Sequence, residues 1–197
     1  MEEREIQYFE QFGETIQDEY GGLYTADGIW LLSAPIGRHK TYIIKEGTKI
    51  VAHYSFMGRF DENDDMYIDS CNIEEVEMPN SVVYLENDAF WECQELKTIK
   101  LSQSIKKIPS SCFYRCLSLE SIVIPESVTI IEMGAFMWCK NLRTVFLPNS
   151  ICEIEKGAFT SCESLEKIIV PNGTKNKFTS MLDEETARFV IEVSLLN

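Results

Sequence analysis

The chain has 197 residues, 45% of them hydrophobic and 25% charged, which suits one soluble domain or one repeat array with a buried core. No stretch approaches the run of about 18 apolar residues that a membrane span needs, so no transmembrane segment is predicted. The formal net charge of −14 repels polyanions at long range, which excludes nucleic acid as a partner. The same charge would steer in a basic partner, although a solvated acidic surface kept for solubility explains it more simply.

Residues 1–41 are predicted to form an N-terminal capping segment. The opening residues 1–5 are acidic and lack the basic-then-apolar order of a secretory signal. This predicts a cytoplasmic chain as given, or a cell-surface or secreted one if the sequence is trimmed. Residues 5–19 allow an amphipathic helix, which Gly13 weakens. Asp27-Gly28 lies between apolar runs in residues 23–32 and predicts a β-hairpin that covers the edge of the next element.

Residues 42–75 are predicted to form a first coil with an acidic insertion. The next coil begins 34 residues after Tyr42 rather than 23, so 11 extra residues lie within roughly 57–70. Oxygen-bearing side chains alternate at Asp61, Asn63 and Asp65, as at the start of a calcium loop. Met66 stands where such a loop needs glycine, however, so a solvated acidic loop is preferred and no metal site is predicted.

A 23-residue repeat runs through residues 76–173. Its columns hold like residues at constant spacing, without an insertion. The columns are Phe90, Phe113, Phe136, Phe159; Cys93, Cys116, Cys139, Cys162; Leu96, Leu119, Leu142, Leu165; Leu85, Ile108, Ile131, Ile154; and Val76, Ile99, Ile122, Val145, Ile168. Such periodicity is the signature of a solenoid, in which each unit folds only against its neighbours.

Each repeat is predicted to contain two strands and a turn. Alternating apolar residues such as Val145 and Leu147 indicate a first strand, and Pro148 ends it because proline has no N–H for a ladder. A second apolar stretch, residues 128–131, predicts another strand on the next side. Gly134-Ala135-Phe136 predicts a helical turn whose phenylalanine points inward. Residues 174–197 are predicted to form a C-terminal cap, with a helical segment near 175–187 and a last strand holding Ile191 and Val193, 23 residues after Ile168 and Val170.

The pattern Ile122-Val-Ile-Pro125, Ile131, Gly134-Ala-Phe136, Cys139 and Leu142 resembles the BspA-type leucine-rich repeat family, named for a bacterial surface adhesin. The resemblance extends over residues 20–197. It implies an α/β leucine-rich-repeat solenoid, strand-rich with short helical turns, with a parallel sheet on its concave face and a cap at each end. It also implies a non-enzymatic bacterial protein that is linked to adhesion or to binding of host proteins.

The residues that suggest chemistry have simpler structural explanations. Cysteines in one inward column lie about 4.8 Å apart between neighbouring coils, too far for a disulfide and not convergent enough for a metal. The four cysteines of this column, and Cys112 in an alanine column, are therefore predicted to be core residues, and the odd total of seven does not suggest a disulfide framework. His39 and His53 belong to no nucleophile, zinc or phosphate-loop motif, so neither an enzyme nor a cofactor is predicted. A hydrolytic site using His53 and nearby acids is the least favoured hypothesis.

The outward-facing strand positions predict the binding site. The column between the two inward residues reads Ile43, Glu77, Lys100, Val123, Phe146, Ile169. The preceding outward column reads Thr41, Glu75, Thr98, Ser121, Thr144, Lys167. Apolar Val123, Phe146 and Ile169 would face water on three adjacent coils, flanked by Ser121, Thr144 and Lys167, which suggests a recognition surface. The preference of such residues for strands is the competing explanation. We therefore predict a non-catalytic, adhesin-like module that binds a protein or peptide there, with a self-associating cytoplasmic scaffold as the alternative.

Overall fold

The computed structural model describes residues 12–35, 37, 39–57, 59–61, 66–68 and 72–193. Three strands form its N-terminal part: β1 (Thr15–Gln17), β2 (Leu23–Thr25) and β3 (Trp30–Ser33), each antiparallel to the next. The turn between β2 and β3 contains Gly28 at φ 70°, so the hairpin that Asp27-Gly28 predicts is present. The helix considered for residues 5–19 is wrong at β1, because strand pairing with β2 overrides its helical spacing. Residues 5–11 of that segment lie outside the described residues.

A hydrogen-bonded tyrosine pair joins the N-terminal strands to the first coil. The hydroxyl groups of Tyr24 and Tyr42 are 2.5 Å apart, and Tyr42 donates to Asp18 Oδ2 at 2.7 Å. Both rings are buried, and this burial raises the pKa of each phenol. Gly22 packs so closely that a Cβ there would collide with the Tyr42 hydroxyl. The contact therefore requires glycine at this position.

Each coil before the C-terminal segment contains two short strands, as the sequence predicts. The first strands are β4 (Thr41–Ile43), β8 (Glu75–Glu77), β10 (Thr98–Lys100), β12 (Ser121–Val123), β14 (Thr144–Phe146) and β16 (Lys167–Pro171). The second strands are β5 (Ile50–Val51), β9 (Tyr84–Leu85), β11 (Lys107–Ile108), β13 (Ile130–Ile131) and β15 (Glu153–Ile154). The insertion in the first coil adds an antiparallel hairpin, β6 (Arg59–Asp61) and β7 (Met66–Ile68). Residues 62–65 and 69 of this insertion lie outside the described residues.

Strands of successive coils pair in parallel and in register, so the predicted columns become stacked rows. Val76 pairs with Ile99, Ile122 with Val145, and Val145 with Ile168. The first strands form two sheets: an N-terminal sheet in the order β10-β8-β4, and a C-terminal sheet that starts β12-β14-β16. The second strands likewise divide into two groups: an N-terminal group that ends at β9, and a C-terminal group in the order β11-β13-β15.

The turn after each second strand uses left-handed backbone conformations at two fixed positions. The first position holds Asp88, Ser111, Gly134 and Gly157, with φ of 57°, 53°, 65° and 78°. The second holds Glu92, Arg115, Trp138 and Ser161, with φ of 54°, 57°, 65° and 60°. L-residues rarely adopt such angles. The predicted helical turn is therefore a series of tight turns, and glycine occurs at the first position because the turn requires a positive φ.

Phenylalanine and cysteine side chains from these turns form the centre of the core. Phe113, Phe136 and Phe159 stack with ring centroids 5.3 and 5.4 Å apart and interplanar angles of 4° and 3°. The thiol of Cys139 donates to Phe113 O at 3.0 Å, and that of Cys162 to Phe136 O at 3.1 Å. The cysteine row thus joins each coil to the one before it. This confirms the prediction that these cysteines are core residues, and Cys112 is fully buried as well.

The C-terminal segment continues through α1 (Lys175–Thr179) and α2 (Glu184–Ala187) to β17 (Val190–Val193), which pairs in parallel with β16. The predicted register of this strand is wrong by one residue. Ile168 pairs with Val190 rather than Ile191, and Ile169 pairs with Ile191. The two helices make this last step 22 residues long instead of 23, so Val190 is buried and Ile191 faces outward. A shift of one residue moves every strand side chain to the other face.

Candidate apolar recognition surface

An exposed apolar row runs across all four strands of the C-terminal sheet, β12-β14-β16-β17. In register, Val123 pairs with Phe146, Phe146 with Ile169, and Ile169 with Ile191. Val123 is 63% exposed, Phe146 38% and Ile191 37%, whereas Ile169 is partly buried. We call Val123, Phe146, Ile169 and Ile191 the apolar stripe. Their position across four paired strands places large apolar side chains side by side in water.

The strands present the stripe because their inward neighbours are held in the core. Ile122, Val145 and Ile168 are at most 2% exposed. Since side chains alternate along a strand, the residues on either side of these three must face outward. The outward residue before each core position is Ser121, Thr144 or Lys167, and these three are also aligned in register. The stripe therefore has a polar row of two hydroxyl groups and one ammonium beside it.

The N-terminal sheet carries different chemistry at the same positions. Lys100 and Glu77, which occupy the stripe column there, form an ion pair at 2.5 Å. Thr41 donates to Glu75 Oε2 at 3.3 Å in the neighbouring column. The stripe column of the N-terminal sheet has one apolar member, Ile43, which is 57% exposed. The outer surface of the first strands thus changes from charged to apolar between β10 and β12, where the two sheets separate.

Ion pairs between coils line the edge of the N-terminal sheet. The carboxylate of Glu74 lies 2.8 Å from Lys40 Nζ and 2.5 Å from Lys97 Nζ. Hydrogen bonds to these two ammonium groups lower the pKa of Glu74 to about 2. The two lysine side chains are 57% and 54% exposed and that of Glu74 is 24% exposed, so these ion pairs fix local register more than global stability.

The other candidates from the sequence do not assemble into a site. His53 is half exposed; its Nδ1 lies 3.0 Å from Asn87 O and 3.6 Å from Asp88 Oδ2. A cleft of about 280 Å³ beside the segment joining α1 to α2 is lined by Glu155, Phe159 and Asp183 among others, and does not include His53. Among the described residues, no group of three or more His, Cys, Asp or Glu side chains is placed to hold a metal ion. Neither α1 nor α2, nor any other helix in the described part of the chain, has the length and apolar character of a bilayer span.

The sequence identified three of the four stripe residues and missed Ile191. The 23-residue period assigned Ile191 to the core, and no local signal in residues 174–190 shows that the last step is shorter by one.

Comparisons with known proteins agree with this architecture. The sequence profile of the BspA type Leucine rich repeat region matches residues 63–182 in 6 copies. No curated protein matches the chain. Among solved structures, a leucine rich cell surface protein from Faecalibacterium prausnitzii is 28% identical, with a TM-score of 0.68 over 86% of this chain and 40% of that one. The leucine rich repeat protein TpLRR of T. pallidum is 25% identical, with a TM-score of 0.64 over 93% of this chain and 79% of that one.

A third structure shows the same fold at lower identity. The pneumococcal vaccine antigen PcpA is 18% identical, with a TM-score of 0.74 over 93% of this chain and 49% of that one. The chain therefore spans less than half the length of two of these three relatives. Repeat proteins of this kind fit a role in binding other proteins. Since the repeat profile matches more than half of the residues and the stacked coils follow its period, the chain belongs to the BspA-type leucine-rich repeat family.

Proposed function

We propose that the chain is a non-catalytic module that binds a basic protein through the apolar stripe, with Ser121, Thr144 and Lys167 as the polar contacts beside it. The observation that carries the proposal is the alignment of four apolar side chains on the outer face of four paired strands. Contiguous apolar surface of this kind, bordered by polar groups, is typical of recognition sites. The capping segments proposed at 1–41 and 174–197 would close the two ends of the stack.

The chemistry of the partner follows from the surface and from the charge. Phe146 is the largest side chain of the stripe and lies between Val123 and Ile169, so it is expected to be the main energetic contact. Ser121 and Thr144 offer hydroxyl groups that can donate to or accept from a partner backbone. The net charge of −14 attracts a positively charged partner at long range and increases its association rate. The preferred partner is therefore a protein segment that combines apolar residues with Lys or Arg.

The test uses two matched variants and a library of random peptides displayed on phage. Phe146→Asp places a charge in the stripe, whereas Ile43→Asp makes the same change at an exposed position of the same column in the N-terminal sheet. Peptides enriched on the unmodified chain should contain apolar and basic residues. They should bind Ile43→Asp with unchanged affinity. Their affinity for Phe146→Asp should be lower by roughly 30-fold or more, since a central contact contributes about 2 kcal/mol. Circular dichroism must show that both variants are folded.

Two results would contradict the proposal. One is enrichment of peptides that bind the unmodified chain and folded Phe146→Asp equally well. The other is enrichment of acidic peptides, because these would be repelled by the net charge at low salt. An adhesin-like role, in which the partner is a host protein, is the form of this function that the surface-protein relatives suggest.

A second candidate function is self-association. β17 has a paired neighbour on one side only among the described residues, and Ile191 and Val193 on it are 37% and 38% exposed. Strand edges of this kind can pair with another copy. The net charge of −14 on each copy opposes such pairing at low salt. Light scattering across micromolar concentrations at low and high salt distinguishes the two functions, because a monomer throughout excludes the scaffold.

A further inference from the structure

The stack of coils is interrupted at one level, which we call the seam. Backbone hydrogen bonds join first strands on either side of it: Thr98 N donates to Glu74 O, and Thr144 N to Glu120 O. The equivalent bond from Ser121 N to Lys97 O is absent, and so is one from Leu101 N to Val123 O, although Ile124 and Leu147 make theirs. Within residues 72–193, all of which the structure describes, β10 and β12 are therefore neighbours that do not pair.

The interruption continues on the second side of the coils. Tyr84 N donates to Lys49 O and Glu153 N to Thr129 O, whereas Lys107 N makes no such bond to Val83 O in the described chain. β9 and β11 consequently belong to different sheets. Each missing bond would join residues 22 or 24 positions apart in adjacent coils, and the earlier residue of each pair lies between 83 and 101. The gaps on the two sides thus belong to one level of the stack rather than to two separate irregularities.

The third side, formed by the turns, remains closed across this level. Asp88 N donates to Ser110 O at 3.2 Å, Phe90 N to Cys112 O at 2.9 Å and Glu92 N to Tyr114 O at 2.7 Å. Phe90 and Phe113 also stack across it, with centroids 5.1 Å apart. Their rings are inclined by 15°, compared with 27° for Phe56 and Phe90 and 4° for Phe113 and Phe136. Coils on the two sides of the seam therefore touch along the turns although their strands do not pair.

Pro109 is one chemical cause of the gap. Its column otherwise contains Glu86, Glu132 and Glu155, and each of these glutamates bonds twice to the preceding coil. Glu132 N donates to Ile108 O at 2.9 Å, and its carboxylate accepts from Ser110 N at 3.0 Å. Glu155 does the same with Ile131 O and Met133 N, both at 2.8 Å. Proline has neither an N–H nor a carboxylate, so both bonds are lost at the seam.

Ser102 is a second cause, on the segment that crosses the seam. The other regular coils have proline at this position, followed by a turn in which Val82 N, Val128 N or Ile151 N bonds to the proline carbonyl. Ser102 is fully buried, and its hydroxyl donates instead to Val82 O of the preceding coil at 2.6 Å. It also accepts from Ser104 N at 3.1 Å. Residues after β10 are thus held towards the N-terminal coils.

We propose that the seam is a hinge: the coils carrying the apolar stripe rotate as one block relative to the N-terminal coils, about the bonded turns at 88–94 and 110–118. The rotation axis lies along the hydrogen-bonded turns and the Phe90–Phe113 stack. The edges that open are unpaired: β10 faces β12 on one side of the coils, and β9 faces β11 on the next side. Lys107 is the side chain that bridges the opening, with Nζ 5.8 Å from the Tyr84 ring centroid and 2.7 Å from Glu132. The hinge is independent of what the stripe binds.

Hydrogen exchange measured on the intact chain tests the open ladders. The amides of Leu101, Lys107 and Ser121 should exchange about tenfold faster than those of their counterparts Ile124, Glu153 and Thr144, the ratio expected for loss of one backbone hydrogen bond of ordinary net strength. Pro109→Glu should restore both missing bonds and slow exchange at Lys107. Pro109→Ala, which restores only the N–H, is the control. Equal exchange rates at seam amides and their counterparts would overturn the proposal.

A distance measurement separates a hinge from a static gap. Spin labels at native Cys152 and at Lys49→Cys, in a Cys71→Ser background, lie on the second side of opposite blocks, about 20 Å apart for four coil spacings. The distance distribution should be broad in this protein and should narrow when Pro109→Glu is added. The same narrow distribution with and without Pro109→Glu would show one rigid array and would overturn the hinge, even if the seam amides exchange quickly.

Discussion

Replacing Phe136 with alanine tests the claim that the phenylalanine row holds the coils together. Phe136 is fully buried and stacks on both sides, against Phe113 at 5.3 Å and Phe159 at 5.4 Å. Removing a buried phenylalanine costs about 3 to 5 kcal/mol. Two stacked partners place this site at the upper end, about 5 kcal/mol, because each aromatic contact contributes about 0.5 to 1.5 kcal/mol beyond burial. Such a loss is comparable to the total stability of many domains, about 5 to 15 kcal/mol.

The assay is urea unfolding followed by circular dichroism. Phe159→Ala is the matched comparison, since Phe159 is 4% exposed and stacks on Phe136 alone among the rings of its row. Its loss should be smaller by about 1 kcal/mol, the value of one aromatic contact. Met133→Ala, 61% exposed in the same coil as Phe136, should change stability by less than about 0.5 kcal/mol. A loss below about 2 kcal/mol for Phe136→Ala, or equal losses for Phe136 and Phe159, would refute the reasoning.

Three further outcomes are expected. Ser111→Gly should stabilise the fold by about 0.5 to 1 kcal/mol in the same urea assay, because φ of 53° strains an L-residue, and Gly134→Ala should destabilise it by a similar amount. In the Cys71→Ser variant, the thiol of exposed Cys152 should be the one that reacts with a thiol reagent in the folded protein at pH 8. Burial raises the pKa of the thiols of Cys112, Cys116, Cys139 and Cys162, so these should stay unreactive until the protein unfolds. Reaction of these four thiols before unfolding would contradict their placement in the core. The Glu74 carboxyl should titrate near pH 2 when it is followed by NMR. Because its pKa is lowered in the folded protein, its contribution to stability is present above the usual pKa of 4.5 and is lost as the pH falls towards 2. Titration near pH 4.5 would exclude both ion pairs.

The sequence predicts the fold well because a repeat converts spacing directly into position. Once Ile122 and Val145 are 23 residues apart in equivalent strands, parallel pairing places them side by side, and the outward column follows from strand alternation. The same reasoning places Phe136 and Cys139 in the core. Turn geometry was only partly accessible, since Gly134 and Gly157 mark the left-handed position but Asp88 and Ser111 adopt it without any such mark.

The local pattern failed where contacts from outside the repeat decide the conformation. Ile16 has helical spacing with its neighbours, yet its segment pairs with β2 because an edge strand was available. Ile191 fits the core period, yet α1 and α2 shorten the connection and turn it outward.

Spacing alone was sufficient to determine the stacked coils, the buried phenylalanine and cysteine rows, and the outward positions of Val123, Phe146 and Ile169, because each depends on contacts between equivalent residues of neighbouring repeats. Tertiary structure alone decided that Ile191 extends the apolar stripe and that strand pairing is interrupted at the seam beside Pro109. Both depend on how one strand meets a particular neighbour, and a hydrogen bond that fails to form between two strands leaves no periodic signal in either of them.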